Sequence, residues 1–518
     1  MKEQAPAAPP KEEPPPAGVV FGDASGGDTR TTILRGGSLL VGVRLVVLVL
    51  QTLIGLALAR LLDPADFGLV GMVTAVLNFA LVFRDLGLSY ATVQRGELSE
   101  QQLSNLFWLN LGFGALTGLV LCAVAPLVQA FYRAEGVAVA VLVLSIAFVL
   151  NAASVQHAAL LRRRFRFGAL GTADLTSVAL SGAVAVAFAA GGAGVWALLL
   201  QQVLRGVIYL ALVVKQADWR PAPFRRGAGT LAHVRFGLEI LAFDVVNYLG
   251  QNVDKVLIGR AFGPATLGYF SKAQELVLLP ISQLRGPMTT AAVPALASAE
   301  RRPEDYRKGF LLISKVNAFA AVPALVLVAL EAPFAVPWIL GVQWTPSVPF
   351  FQLLALAGIP KTIIGILGTH LIASGQSRRY FWWGSWHGAV LVVGVLVALP
   401  FGAHAVAVSL VLTNVLVFVP SAVYVLSGGV IGIGGFLRTC VAPIGSSTLG
   451  LAAVLALRRL GGPSGPCGMG MEIIAFLVVY GALSCLDREV RSLLFAAASR
   501  LRRPRTTPMA AGGGVSKA

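Results

Sequence analysis

Stretches of about 20 mostly apolar residues recur along almost the whole chain, each bounded by a short polar or basic segment, and that is the length a helix needs to cross a bilayer. They fall near 36–60, 67–88, 105–130, 137–160, 169–190, 193–214, 236–260, 266–292, 309–331, 348–373, 381–401, 403–426, 437–457 and 469–486. Lipid offers no partner to backbone N–H and C=O groups, so each stretch must bond to itself as a helix. The expected fold is all-α, a polytopic integral membrane protein with about fourteen transmembrane helices. Composition agrees: 56% of residues are hydrophobic, 13% are charged and the mean hydropathy is +0.77, a balance that a soluble core with a wet surface does not reach.

The stretches are organised by an internal repeat at an offset of 200 residues. Arg60-Leu-Leu-Asp-Pro64-Ala65-Asp-Phe-Gly68 aligns with Arg260-Ala-Phe-Gly-Pro264-Ala265-Thr-Leu-Gly268, matching Arg, Pro, Ala and Gly without a gap. Each copy lies between two apolar windows, where Pro and Gly suit a tight connection. The pattern predicts two homologous six-helix bundles of the same orientation, residues 33–215 and 236–430, and a C-terminal helix pair, 431–487. A basic linker, 216–235, joins the bundles. The Pro-rich and acidic start, 1–32, reads as a disordered cytoplasmic tail and 488–518 as a basic cytoplasmic one. Repeats related in this way carry their substrate between the two bundles.

The net charge of +17 would point to nucleic acid in a soluble protein, but most of the 41 Lys and Arg fall in alternate short loops. Runs such as Arg162, Arg163, Arg164 and Arg166 then read as topology signals facing anionic lipid, with both termini cytoplasmic and no nucleic-acid partner. The four cysteines, Cys122, Cys440, Cys467 and Cys485, stand singly, which gives neither a disulfide framework nor a zinc site.

Charges at membrane depth are costly and must face protein or water. The cations so placed are Arg44, Arg84, Arg205, Lys255, Lys272, Arg285, Lys315 and Lys361; the acids are Asp85, Asp174, Glu239, Asp244, Asp254 and Glu275. In the seventh stretch Asp244, Asn247, Gln251 and Asp254 recur at helical steps, widened by Tyr248, Asn252 and Lys255. A polar stripe of that extent lines a cavity or a buried helix contact. Arg44, Arg84 and Arg285, with Lys255 and Lys272, read either as a basic lining for phosphate, which guanidinium grips through two parallel bonds, or as structural ion pairs. Asp244, Asp254 and Glu275 read either as ion-coupling acids or as salt-bridge partners of Lys255 and Lys272.

No phosphate-cradling G-x-x-x-x-G-K-[ST] loop, D-x-D pair, H-E-x-x-H run or G-x-S-x-G elbow is present, so the sequence points to no catalysis, metal or cofactor.

The run from Asp254 to Pro280, followed by V-P-A-L from Val293, resembles the characteristic segment of bacterial Wzx-type polysaccharide and lipopolysaccharide flippases, members of the multidrug, oligosaccharidyl-lipid and polysaccharide exporter superfamily. The earlier L-A-R-L-L-D-P-A-D-F-G, continuing to R-D-L-G-L from Arg84, is similar to their first two spans, and the likeness covers roughly residues 30–430. The resemblance implies an inner-membrane carrier of an undecaprenyl-pyrophosphate-linked oligosaccharide, working by alternating access beside polymerase and glycosyltransferases. Two other readings stand beside it. One is a cation-coupled exporter of small amphiphiles or drugs, and the other is a non-transporting scaffold held through the basic R-L-R-R-P-R segment from Arg500.

Overall fold

The computed structural model describes residues 29–84, 100–225, 231–299, 301–460, 465–485 and 491. Most of both tails and Asp85 lie outside the described residues, as do the side chains of residues 29–41, 81–84 and 231–251. Among the described residues the structure is helical, without a strand. The helices are α1 (Thr29–Leu61), α2 (Pro64–Arg84), α3 (Glu100–Tyr132), α4 (Val137–Arg163), α5 (Phe167–Ala190), α6 (Val195–Ala217), α7 (Leu231–Ala299), α8 (Pro303–Leu340), α9 (Val348–Ala373), α10 (Ser377–Ala398), α11 (Ala403–Leu426), α12 (Ile433–Arg459) and α13 (Pro466–Ser484). Eleven of the described helices are long and apolar enough to cross a membrane, and Pro64–Ala80 is a shorter apolar one. The all-α membrane fold is therefore observed, and the count of fourteen spans is not confirmed among the described residues. α7 is not among the eleven, and it carries Asp254, Lys255, Arg260, Lys272, Glu275 and Arg285.

Large apolar side chains face outward in number: Leu119 and Leu127 are each 68% exposed and Leu416 is 70% exposed, which only a lipid surface tolerates. Because lipid tails are as apolar as leucine, helices gain little from burying such groups against each other and associate instead by close packing at small residues. The structure follows this rule. A Cβ built on Gly114 of α3 would fall on the Cβ of Ala152 of α4, and one on Gly182 of α5 would fall on Ile54 of α1. Likewise a Cβ on Gly450 of α12 would fall 2.9 Å from the Phe476 ring of α13.

Two compact units are present. The first comprises Met1–Lys272 with Pro337–Pro346 and Val395–Val406. The second comprises Ala273–Val336, Ser347–Gly394 and Ala407–Ala518.

Both copies of the offset-200 motif lie in the first unit, and they face each other. In the first copy α1 ends at Leu61 and Pro64 restarts the chain as α2, its fixed φ suiting a first turn. The Asp66 carboxylate accepts from the Asp63 N–H at 3.3 Å, closing that turn. In the second copy the connection shrinks to one non-helical residue inside α7, Gly263, whose φ of 80° and ψ of −179° form a combination essentially reserved for glycine. The chain bends there and Pro264 resumes the helix. The two turns then meet reciprocally: a Cβ on Gly68 would collide with the Pro264 carbonyl, and one on Gly268 with the Pro64 carbonyl.

Trp344, fully buried, packs edge-on against Phe67 of the first copy and Tyr269 of the second, with ring centroids 5.4 and 6.0 Å away. Its indole N–H donates to the Ala59 carbonyl at 2.8 Å, and Gln343 donates to the same oxygen at 3.0 Å, so the last carbonyls of α1 are capped by the turn after α8. Arg60 returns the interaction, donating to the carbonyls of Trp338 and Ile339 at the end of α8. Trp344→Phe keeps the ring contacts but loses the N–H bond and some volume. It is expected to cost about 1–2 kcal/mol, read as a lowered unfolding temperature of the purified protein in detergent.

Candidate functional site

Within the first unit, α1, α4, α5 and α6 surround a cavity of about 930 Å³. Its walls come from one face of each helix: Val43 and Arg44 on α1; Ala147, Asn151, Ser154 and Arg162 on α4; Leu170, Gly171 and Asp174 on α5; Gln202, Arg205, Gly206 and Tyr209 on α6. The α4 set is spaced 4, 3 and 8 residues apart and the α6 set runs 202, 205, 206, 209, both helical repeats of a single face. Small residues draw the helices together on either side. A Cβ on Gly171 would stand 3.0 Å from Val43, and one on Gly206 would stand 3.4 Å from Leu150.

The lining of the cavity is net positive. Three guanidinium groups, Arg44, Arg162 and Arg205, and one carboxylate, Asp174, line it, a formal excess of two positive charges. Arg205 donates from Nη2 to Asp174 Oδ1 at 3.2 Å, and with the Gln51 amide turned so that its oxygen faces Arg205, both terminal nitrogens donate to it at 3.0 and 3.1 Å. Arg205 and Asp174 are 45% and 41% exposed, so this ion pair faces the cavity rather than a dry core, and its own contribution to stability is small. What the pair does is fix one guanidinium in the wall. No metal cluster of three or more His, Cys, Asp or Glu exists among the described residues.

The basic run at the end of α4 divides its labour. Arg164 and Arg166 donate to the carbonyls of Ala217 and Gln216 at 2.7 and 2.8 Å, capping the C-terminus of α6, where cations are favoured. Arg162, one turn earlier, lines the cavity. Reading all four as topology signals therefore missed a wall residue. The signal that would have found it is the shared helical face with Asn151 and Ser154.

Arg44 is in the cavity wall. Arg84 falls in α2, and Asp244, Asn247, Tyr248 and Gln251 fall in α7, but their side chains lie outside the described residues. Asp254 is buried and Asn252 and Lys255 are half-buried on α7. Lys272 is 4% exposed, its Nζ over the Phe67 ring 5.0 Å from the centroid. Glu275 is exposed. Arg285, in the second unit, donates from Nη2 to the Gly365 carbonyl on α9 at 3.1 Å, and a Cβ at Gly365 would come within 2.8 Å of its guanidinium.

Comparison with known proteins adds the decisive fact. A family model described as polysaccharide biosynthesis protein matches residues 57–349, more than half of the chain. The chain belongs to that family. The resemblance to polysaccharide exporters read from the motif residues is thereby borne out. Teichuronic acid biosynthesis protein TuaB of Bacillus subtilis is 31% identical over 61% of this chain and 66% of its own length. Lipopolysaccharide biosynthesis protein WzxC of Escherichia coli is 25% identical over 62% and 65%, respectively. Succinoglycan biosynthesis transport protein ExoT of Rhizobium meliloti is 25% identical over 63% and 66%. The match spans just under two thirds of the length of these relatives. In fold, this family member is similar to the inward closed lipid II flippase MurJ, with a TM-score of 0.70 and 12% identity over 88% of this chain and 99% of that one. It is also similar to an inward-facing multidrug MATE transporter, with a TM-score of 0.59 and 15% identity over 77% and 96%.

Proposed function

We propose that the chain is a flippase that moves an undecaprenyl-pyrophosphate-linked oligosaccharide across the inner membrane by alternating access. The observation that carries this reading is the cavity lined by Arg44, Arg162 and Arg205, because a pyrophosphate is recognised by guanidinium groups held in a partly dehydrated wall. The same excess of cations disfavours export of cationic drugs.

On this reading residues 33–215 and 236–430 are the two moving bundles and 431–487 the added helix pair, with both termini cytoplasmic. Arg84, Arg285, Lys255 and Lys272 extend the basic path, Asn247, Tyr248, Gln251 and Asn252 form its polar wall, and Asp244, Asp254 and Glu275 couple an ion. Polymerase and glycosyltransferases are its partners in the pathway.

The test is complementation of a deletion strain with the Arg44→Ala, Arg162→Ala double variant. Surface polysaccharide is expected to be lost while the variant accumulates in the membrane at the wild-type level. Normal polysaccharide, or a deletion strain whose sole defect is drug susceptibility, overturns the reading.

A further inference from the structure

In the second unit, α12 and α13 pack on α8 around Leu330, Val454 and Phe476, and beside this apolar contact lies a charged cluster that the function above does not use. Arg458 of α12 grips Glu472 of α13 through both carboxylate oxygens, Nε to Oε1 at 3.0 Å and Nη2 to Oε2 at 2.6 Å. The same Nη2 lies 3.6 Å from Oε1 of Glu331 on α8 and 3.4 Å from the Leu330 carbonyl. Glu331 is 5% exposed, neither of its carboxylate oxygens accepts from an N–H or O–H donor, and the Glu472 carboxylate lies against it.

Charge and geometry set the protonation count. One guanidinium faces two carboxylates, and its fork is committed to Glu472. At 3.6 Å the guanidinium is too far from Glu331 Oε1 for a hydrogen bond. A carboxylate withdrawn from water with no donor to its oxygens is a costly species, and the ordinary escape is to take up a proton. The charged groups facing Glu331 are Arg458 from α12 and Glu472 from α13; from α9 comes the uncharged Gln352, which donates to the Ala329 carbonyl at 3.3 Å. With one proton the three ionisable groups sum to zero.

We propose that Glu331, Arg458 and Glu472 form a proton-binding site that holds one proton, resident on Glu331, and that this proton decides which carboxylate Arg458 pairs with. Loss of the proton leaves a second anion beside the guanidinium and draws it from Glu472 toward Glu331. The site supplies a proton-sensitive tie between α8 and the helix pair α12–α13. It does not rest on the identity of the cargo.

The experiment is infrared spectroscopy of the full-length protein in lipid bilayers, titrated with pH and exchanged into heavy water. The expected result is a protonated-carboxyl band at neutral pH that shifts on deuteration, disappears as pH rises, and is absent from Glu331→Gln at every pH. Glu472→Gln frees Arg458 for Glu331, so the band should vanish at neutral pH in that variant, a comparison that stands if Glu331→Gln does not fold. A wild-type spectrum without such a band, or a band that survives in either variant, overturns the proposal.

Discussion

Gly268→Ala is expected to disrupt the contact between the two copies of the repeat, and Gly68→Ala to do the same from the other side. The added methyl at position 268 would land on the Pro64 carbonyl oxygen, 2.8 Å from the carbonyl carbon and 3.2 Å from the Gly68 nitrogen. The obstacles are backbone atoms of a turn held by proline and by the Asp66 cap, and they cannot swing aside as a side chain can. Overpacking of a well-filled site costs about 1–3 kcal/mol, and a collision with fixed backbone falls at the upper end of that range or beyond. Glycine is not intrinsically needed in these helices. At Gly112 and Gly445 nothing lies within 4 Å of an added Cβ, and alanine there should be neutral or stabilise by up to about 1 kcal/mol through helix propensity. Unfolding temperatures of the four variants in one detergent form the test. Equal values for Gly268→Ala and Gly112→Ala would remove the backbone contact as a determinant of the fold.

Asp174→Asn and Arg205→Ala should change anion binding in opposite directions. The cavity wall holds three cations and one anion, so removing Arg205 lowers its formal charge to +1 and removing the Asp174 charge raises it to +3. A charge-assisted hydrogen bond contributes about 1.5–3 kcal/mol, and at the exposure of this pair the lower value applies after screening. Arg205→Ala is therefore expected to weaken binding of a pyrophosphate-headed lipid about tenfold, and Asp174→Asn to strengthen it by a smaller factor. Both effects should shrink as salt shortens the reach of the charges. A purely structural ion pair would give the opposite pattern, with both variants losing stability and neither tracking the charge of the wall. Titration of the purified variants with the lipid at two salt concentrations separates the cases.

Arg44, Arg205 and Asp174 are legible in the sequence as charges at membrane depth, because a transfer cost is a property of a residue and its depth alone. The polar stripe of the seventh stretch is dense, whereas those that carry Asn151, Gln202 and Tyr209 are sparse and do not stand out from the sequence. Arg162 was hidden because it begins a run of arginines, two of which do cap a helix. Glu331 and Glu472 were overlooked for a related reason. Each stands alone near an end of an apolar stretch, where a carboxylate reads as interfacial, and only the arrival of Arg458 from a third helix makes them a cluster.

Local and periodic properties are legible in the sequence itself: the all-helical membrane class, the positions of most helices and the duplicated Arg-x-x-x-Pro-Ala-x-x-Gly turn. All of these follow from transfer energies and from the 3.6-residue repeat, which need no knowledge of neighbours. Which faces meet was decided by tertiary structure. Lipid and protein interior are equally apolar, so hydropathy does not distinguish a lipid-facing leucine from a packed one, and helix contacts are chosen by close approach at small residues. That is why the two Pro–Gly turns could be recognised as copies from the sequence while their reciprocal contact could not, and why the arginines of α1, α4 and α6 become one wall only when the helices assemble.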